Sequence, residues 1–193
     1  MARKPDEQEY KEFKKIQELN ENLANSEVIN LFYYDESGFL LDSNIPYAWQ
    51  EKGRELTIKK SRSKNITISG FLSNNGQSLK SYKTIGFVNS EMLVKIFDDF
   101  STNISKETVV ILDNASTHTS KLFSSSIEKW NNLGLKLLFL PPYSPQLNKI
   151  ETLWRFIKYQ WLDISSYLSF ENLDNNLEKI LLDFGSKCTI NFS

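Results

Sequence analysis

The sequence predicts an α/β domain built on a mixed five-stranded sheet flanked by helices. Three observations lead there. Strand patterns crowd the first half of the chain and then alternate with helical patterns, an order that argues a mixed sheet with helices packed on it. The runs VINLFYYD, TVVILD and LKLLFL are nearly continuous apolar stretches, as strands buried on both faces are. Finally, 193 residues that are 40% apolar and 13% aromatic can fill one ordinary core but are cramped for two full domains.

Residues 5–25 mix charges with Phe13, Ile16, Leu19 and Leu23 at spacings of three and four, which predicts a one-sided amphipathic helix. It reads as a lead-in, residues 1–27, before the domain proper. VINLFYYDESGFLLD predicts a buried strand up to Asp35, a turn at Ser37-Gly38 and a second short strand. NITISGFLSNNG alternates into the turn signal Asn75-Gly76, and SLKSYKTIGFV can pair back on it. Ser90 then caps a helix carrying Met92, Ile96, Phe97 and Phe100. TVVILD is a strand ending in Asp113, KLFSSSIEKW a helix closed near Gly134, and LKLLFL a strand stopped by Pro141-Pro142. Asn148 opens a helix to about Leu162, and a last helix covers about 170–184. The main domain is expected over 28–185, with a tail at 186–193. This is the element order of a ribonuclease-H-like fold, in which acids on the first and fourth strands can meet despite wide sequence separation.

Composition narrows the chemistry. The single Cys188 excludes an internal disulfide, and the single His118 excludes a multi-histidine zinc site within one chain. Any metal must be held by carboxylates. The net charge of −1 neither supports nor excludes a nucleic-acid partner. No apolar run approaches the roughly 18 residues of a membrane span, and no secretory signal follows Met1, so a cytoplasmic protein is expected.

Three acids stand where strands hand over to loops or where a helix begins: Asp35, Asp113 and Glu151. Each has a plain structural reading. Asp35 can open a turn, Asp113 can form an Asx turn, and Glu151 stands three after Asn148, the capping-box spacing. Taken together they converge on one sheet edge, where three carboxylates repel unless cations bridge them. Oxygen-only ligands select Mg²⁺ or Mn²⁺. Two such ions roughly 3.5–4 Å apart can serve the attacking and leaving oxygens of an in-line displacement at phosphorus. A Ser-His-Asp hydrolase is disfavoured, since no G-x-S-x-G elbow exists.

The blocks YYDESGF, VVILDNASTHTS and LFLPPYSPQLNKIETLW closely resemble the catalytic core of DDE-type transposases of the mariner superfamily, in its bacterial insertion-sequence branch. The likeness spans about 28–185. It implies that Asp35, Asp113 and Glu151 form a metal-binding catalytic triad, holding two Mg²⁺ or Mn²⁺ ions, for DNA strand cleavage and strand transfer. Asp113 and Glu151 are 38 positions apart, slightly longer than the usual mariner-type interval. Glutamate as third acid fits this branch, whereas mariner proper carries aspartate. Trp49 and Gly53 match the family's Trp-x-x-x-Gly block. Alternatives are a ribonuclease-H-like nuclease and a noncatalytic DNA-binding remnant.

Around the acids, Asn114 is placed to bond a phosphate or water. His118 is placed to contact DNA or to make a structural hydrogen bond. Arg155 and Lys158 follow Glu151 at i+4 and i+7, where they can pair with it or hold phosphate. Lys52 and Arg54 begin the densest basic segment, 52–64, whose composition fits a solvated loop and a DNA contact equally. Transposases of this superfamily usually carry helix-turn-helix domains before the core, and about 28 residues precede the first strand here. The chain therefore resembles the catalytic half of a split transposase, made alone or joined by frameshifting to an upstream helix-turn-helix product, or else a decayed remnant. Its partners would be terminal inverted repeats, target DNA and a second copy in a homodimer, with the protein on the nucleoid when bound to DNA.

Overall fold

A ten-residue strand, β1 (Asn30–Phe39), organises the sheet. The computed structural model describes residues 6–41, 65–190 and 192. Side chains of a strand alternate between faces, and β1 uses both. Leu31, Tyr33 and Phe39 enter one core, while Tyr34 enters a second, with Phe32 packed against it. The turn expected at Ser37-Gly38 is not formed, and Asp35 lies inside the strand. The reason is the neighbour: β2 (Ile66–Ser73) pairs antiparallel with β1 from Phe32 to Phe39, placing Gly38 opposite Thr67. A Ser-Gly pair marks a turn only where no strand engages its backbone.

β2 turns through Gly76, whose φ of +71° suits glycine, into β3 (Leu79–Ile85), as expected. Helix α2 (Ser90–Thr102) follows, but its cap is Asn89 rather than Ser90. The Asn89 side chain accepts from the Met92 amide, leaving Ser90 as the first helical residue. β4 (Thr108–Leu112) is buried throughout and runs parallel to β1. Helix α3 (Lys121–Asn132) is capped by Ser120 and leads to β5 (Leu135–Phe139), parallel to β4. The sheet order is β3-β2-β1-β4-β5, the mixed sheet of a ribonuclease-H-like fold.

Helices cover both faces. α2 and α3 bury Leu93, Phe97, Phe123 and Trp130 on the Tyr34 side. On the Tyr33 side lie α1 (Glu7–Asn25), α4 (Ile150–Phe156) and α5 (Phe170–Asp183). α1 does not present its expected stripe. Phe13 is buried, yet Ile16 and Leu19 are 46% and 60% exposed. Gln17 sits inward instead, its amide donating to the Tyr33 hydroxyl and the Leu147 carbonyl at 3.0 and 3.1 Å. The helix is thereby packed into the core through a polar contact that an apolar-stripe reading does not register.

α4 starts at Ile150, two residues later than expected, and passes into a π-helical stretch over Ile157–Trp161. The Asn148 side chain does not cap α4. Its side-chain amide donates to the Tyr34 carbonyl at 3.0 Å, so it fastens the start of α4 to β1. Ile190, in the expected tail, is buried against the Tyr33-side core. No helix among the described residues is long and apolar enough to cross a membrane.

Candidate active site

The sheet register places the first two acids. Tyr33 on β1 pairs with Ile111 on β4, so Asp35 and Asp113 stand two residues further along adjacent parallel strands with the same facing. β4 ends at Leu112, leaving Asp113 at its mouth. Glu151 comes from the first turn of α4, which packs on that same face. All three line one cavity of about 360 Å³, together with Asn114, Tyr143 and Asn148.

Asp35 is the most perturbed acid. Burial raises its pKa first, then the negative charges of Glu151, Glu36 and Asp113, and the carboxyl is pushed up to about 8. Its Oδ2 accepts from the Trp154 indole at 3.0 Å. That contact depends on Gly70, the β2 partner of Asp35. A Cβ on Gly70 would stand 2.9 Å from Trp154 Cη2, so only glycine leaves room for the ring over the strand. Glu151 is raised by burial, with Lys158 pulling it down and Asp113 adding to the rise. Lys158 is half-buried with its ammonium 5.2 Å from the Phe39 ring centre. Burial lowers its pKa against the opposing pull of Glu151 and Asp35.

Asp113 behaves differently. Its Oδ1 takes the His118 Nδ1–H at 2.6 Å and the Ala115 amide at 3.0 Å, and the imidazole bond holds it below the usual carboxylate range. The Asx turn is thus present alongside the imidazole bond. His118 is only 1% exposed, so it is closed to direct contact with DNA. Burial pulls its pKa down, but the bonds to Asp113 and Glu36 outweigh this and lift it to about 10. Glu36 accepts from His118 Nε2 at 3.1 Å and from the Tyr34 hydroxyl at 2.9 Å.

The remaining expected residues scatter. Asn114 is exposed at the cavity, but its amide donates to the Leu140 carbonyl, tying together the ends of β4 and β5. Arg155 is exposed and lines a neighbouring depression with Lys149, Glu151 and Thr152. The capping box expected between Asn148 and Glu151 is not made, since the Asn148 side chain serves Tyr34. Lys52, Arg54, the rest of the 52–64 basic segment and the Trp49–Gly53 block lie outside the described residues. Sequence reasoning missed Glu36, Trp154 and Gly70. The available signal for Glu36 was an acid next to Asp35 in the strand, and hence on the opposite face.

The donor chemistry fits a hard divalent cation. Asp35 Oδ2 and Asp113 Oδ1 each take a protein donor, and both carboxylates line the cavity. Asn148 Oδ1 is buried without a hydrogen-bond partner beside them. Asp35 carries the mutual repulsion expected of carboxylates gathered at a cation site. Among the described residues, no three acid, histidine or cysteine groups converge tightly enough to enclose an ion as they stand.

A ribonuclease-H-like sheet whose first strand, fourth-strand exit and α4 each send one acid into a single cavity defines a class of nucleic-acid-processing fold. Within it, the chain belongs to the DDE superfamily endonucleases, whose family model matches residues 30–174. An uncharacterized protein of Sinorhizobium fredii, y4pE/y4sA, is 35% identical over 66 residues, covering 34% of this chain and 44% of that protein. The Mos1 transposase paired-end complex with left transposon end matches with a TM-score of 0.59 at 15% identity, over 94% of this chain and 57% of that one. The Mos1 mariner paired end complex with Mn gives a TM-score of 0.58 at 14% identity, with the same coverage. At such identities the likeness establishes the fold. The chain spans somewhat over half of each of these solved transposase chains, and under half of the curated relative.

Proposed function

We propose that this chain is the catalytic part of a mariner-type transposase, cutting DNA strands and joining the freed ends to target DNA. One observation carries the reading: Asp35, Asp113 and Glu151, far apart in sequence, line a single cavity in a chain of an endonuclease family. In this reading the three acids hold Mg²⁺ or Mn²⁺, as two ions, and residues 28–185 form the catalytic unit with α1 packed on it. When bound, such ions stabilise the attacking and leaving oxygens of an in-line displacement at phosphorus. The chain's own residues aim the ligands. Trp154 holds Asp35, His118 holds Asp113, and α4 delivers Glu151. Lys158 offsets the negative charge between Glu151 and Asp35. Arg155, Lys52 and Arg54 are assigned to phosphate contacts and Asn114 to the cavity mouth.

The Mn of a Mos1 complex and the transposon end of another support the cation and the DNA substrate. Joining two element ends calls for a second copy of the chain. Reading terminal repeats falls to a helix-turn-helix product, since phosphate contacts carry no sequence information. The working place is then the cytoplasm, at the nucleoid.

The test is nicking and strand transfer on terminal-repeat DNA with Mg²⁺. Asp113→Asn and Glu151→Gln preserve shape but remove a hard anionic ligand, and each is expected to lower both reactions at least about 100-fold while remaining folded. Undiminished Mg²⁺-dependent nicking by Asp113→Asn would overturn the assignment, and hydrolysis without strand transfer would make the chain a nuclease.

A further inference from the structure

We propose that Glu36 is a positioning residue which, through His118, fixes the carboxylate of Asp113 so that one oxygen stays turned to the cavity. The inference rests on the reading that Asp113 is a metal ligand. Asp113 needs such a restraint: it follows the last residue of β4 and its side chain is half exposed. Besides the imidazole, its carboxylate is held by the Ala115 amide at 3.0 Å, on the same oxygen.

The restraint runs across β1. Asp35 and Glu36 are consecutive, so they leave the strand on opposite faces, Asp35 toward the cavity and Glu36 toward the Tyr34 side. There the Tyr34 hydroxyl donates to Glu36 Oε1 at 2.9 Å, and His118 Nε2 lies 3.1 Å from Oε2 and 3.3 Å from Oε1. The other ring nitrogen reaches Asp113 Oδ1 at 2.6 Å and the Asp113 carbonyl at 3.1 Å. Ionised carboxylates only accept, so an imidazole between two of them must donate from both nitrogens. The ring packs against aromatic neighbours, with centroids 5.6 Å from Tyr34 and 6.0 Å from Phe123.

Glu36, His118 and Asp113 therefore form one hydrogen-bonded chain from β1 to the exit of β4. It sets the spacing of Asp113 against Asp35, the neighbour of Glu36 in the strand. Such outer contacts orient metal ligands elsewhere, and their loss typically weakens metal affinity about 10- to 100-fold. Removing Glu36 leaves a buried ring N–H unpaired, freeing the imidazole to swing and release Asp113.

The experiment is calorimetric titration of the full 193-residue chain with Mn²⁺ alone, checked by Mn²⁺ paramagnetic resonance, with thermal melting of each variant. Glu36→Ala is expected to weaken Mn²⁺ binding about 10- to 100-fold. Glu36→Gln keeps an oxygen that accepts from Nε2 and should restore affinity to within about threefold. Glu36→Asp is one methylene too short and should remain weakened about tenfold. Should Glu36→Ala not fold, the Gln and Asp variants decide by the same contrast. Wild-type Mn²⁺ affinity in every folded Glu36 variant, with Asp113→Asn losing it, overturns the positioning role alone. Wild-type affinity in Asp113→Asn overturns the metal reading and the positioning role with it.

Discussion

Replacing Asp35 by asparagine should make the metal-free protein more stable at alkaline pH, although it removes a residue assigned to the site. The folded state holds this carboxyl at about 8, against an ordinary value of 3.8. Because the folded pKa is raised, the folded chain binds more protons than the unfolded one between those values, and stability falls as pH rises through the window. Below pH 4 both states are protonated and the group contributes almost nothing. Each pH unit in between costs about 1.4 kcal/mol, a ceiling of roughly 5 kcal/mol at pH 8. Asp35 keeps a water-facing edge in the cavity, and solvent screening reduces this to about 2–3 kcal/mol.

Asparagine retains an oxygen for the Trp154 indole and so leaves the packing intact. In EDTA, melts followed by circular dichroism should place Asp35→Asn about 5–10 °C above wild type at pH 8. At pH 5 the gap should shrink to under about 1 kcal/mol. Millimolar Mn²⁺ should then reverse the order, because a ligand that binds only the native site raises the wild-type melt alone. A variant no more stable than wild type at pH 8, or a gap that is the same at pH 5 and pH 8, would refute the claim that clustered acids destabilise the metal-free fold.

Three further expectations use the same geometry. Gly70→Ala drives a Cβ to 2.9 Å from Trp154 and 3.1 Å from Ile150, so it should cost about 1–3 kcal/mol by overpacking. Chemical denaturation checks this, and wild-type stability would show that the ring over Asp35 yields freely. Trp154→Phe removes the indole donor but keeps most of the buried volume. Mn²⁺ affinity should drop about tenfold with a melting change of only a few degrees, and a large stability loss without an affinity loss would make Trp154 a packing residue. The isolated chain, with a net charge of −1, should bind DNA weakly, lose it steeply with salt and prefer terminal-repeat over scrambled DNA by less than about 100-fold. A larger preference in a salt titration would show a base-reading element within the chain.

Most of the sheet was legible because its signals are local. β4 and β5 are short apolar runs closed by an acid or a proline pair, and the Asn-Gly turn between β2 and β3 needs little beyond its own residues. The misreadings arose where a distant partner decided. Gly38 stays in a strand because β2 lies beside it, and Asn148 forgoes capping because the Tyr34 carbonyl is within reach. In α1, Gln17 is buried in preference to Ile16 because Tyr33 and Leu147 offer its amide two acceptors. Hydrophobic periodicity ranks residues by apolarity and is silent on such pairings.

The site divides along the same line. Its three acids stand out in the sequence because a carboxylate beside an apolar strand demands a reason, and strand order brings two of them together. What holds them is encoded elsewhere. Asp35 is reached by an indole 119 positions away, admitted by the missing side chain of Gly70. Asp113 is clamped through a histidine five positions on, which is anchored 82 positions back at Glu36. Neither support has a local signature, since glycine in a strand usually reads as a defect and Glu36 as a second copy of Asp35. The two consecutive acids divide labour because a strand turns neighbours to opposite faces: one enters the cavity while the other braces the cavity's far wall. A one-residue slip of β1 would turn both to the opposite faces, and in one direction would put Tyr34 where Asp35 meets Trp154. The eight-residue pairing with β2, which sets Gly70 opposite Asp35, is therefore as much a determinant of the site as the carboxylates themselves.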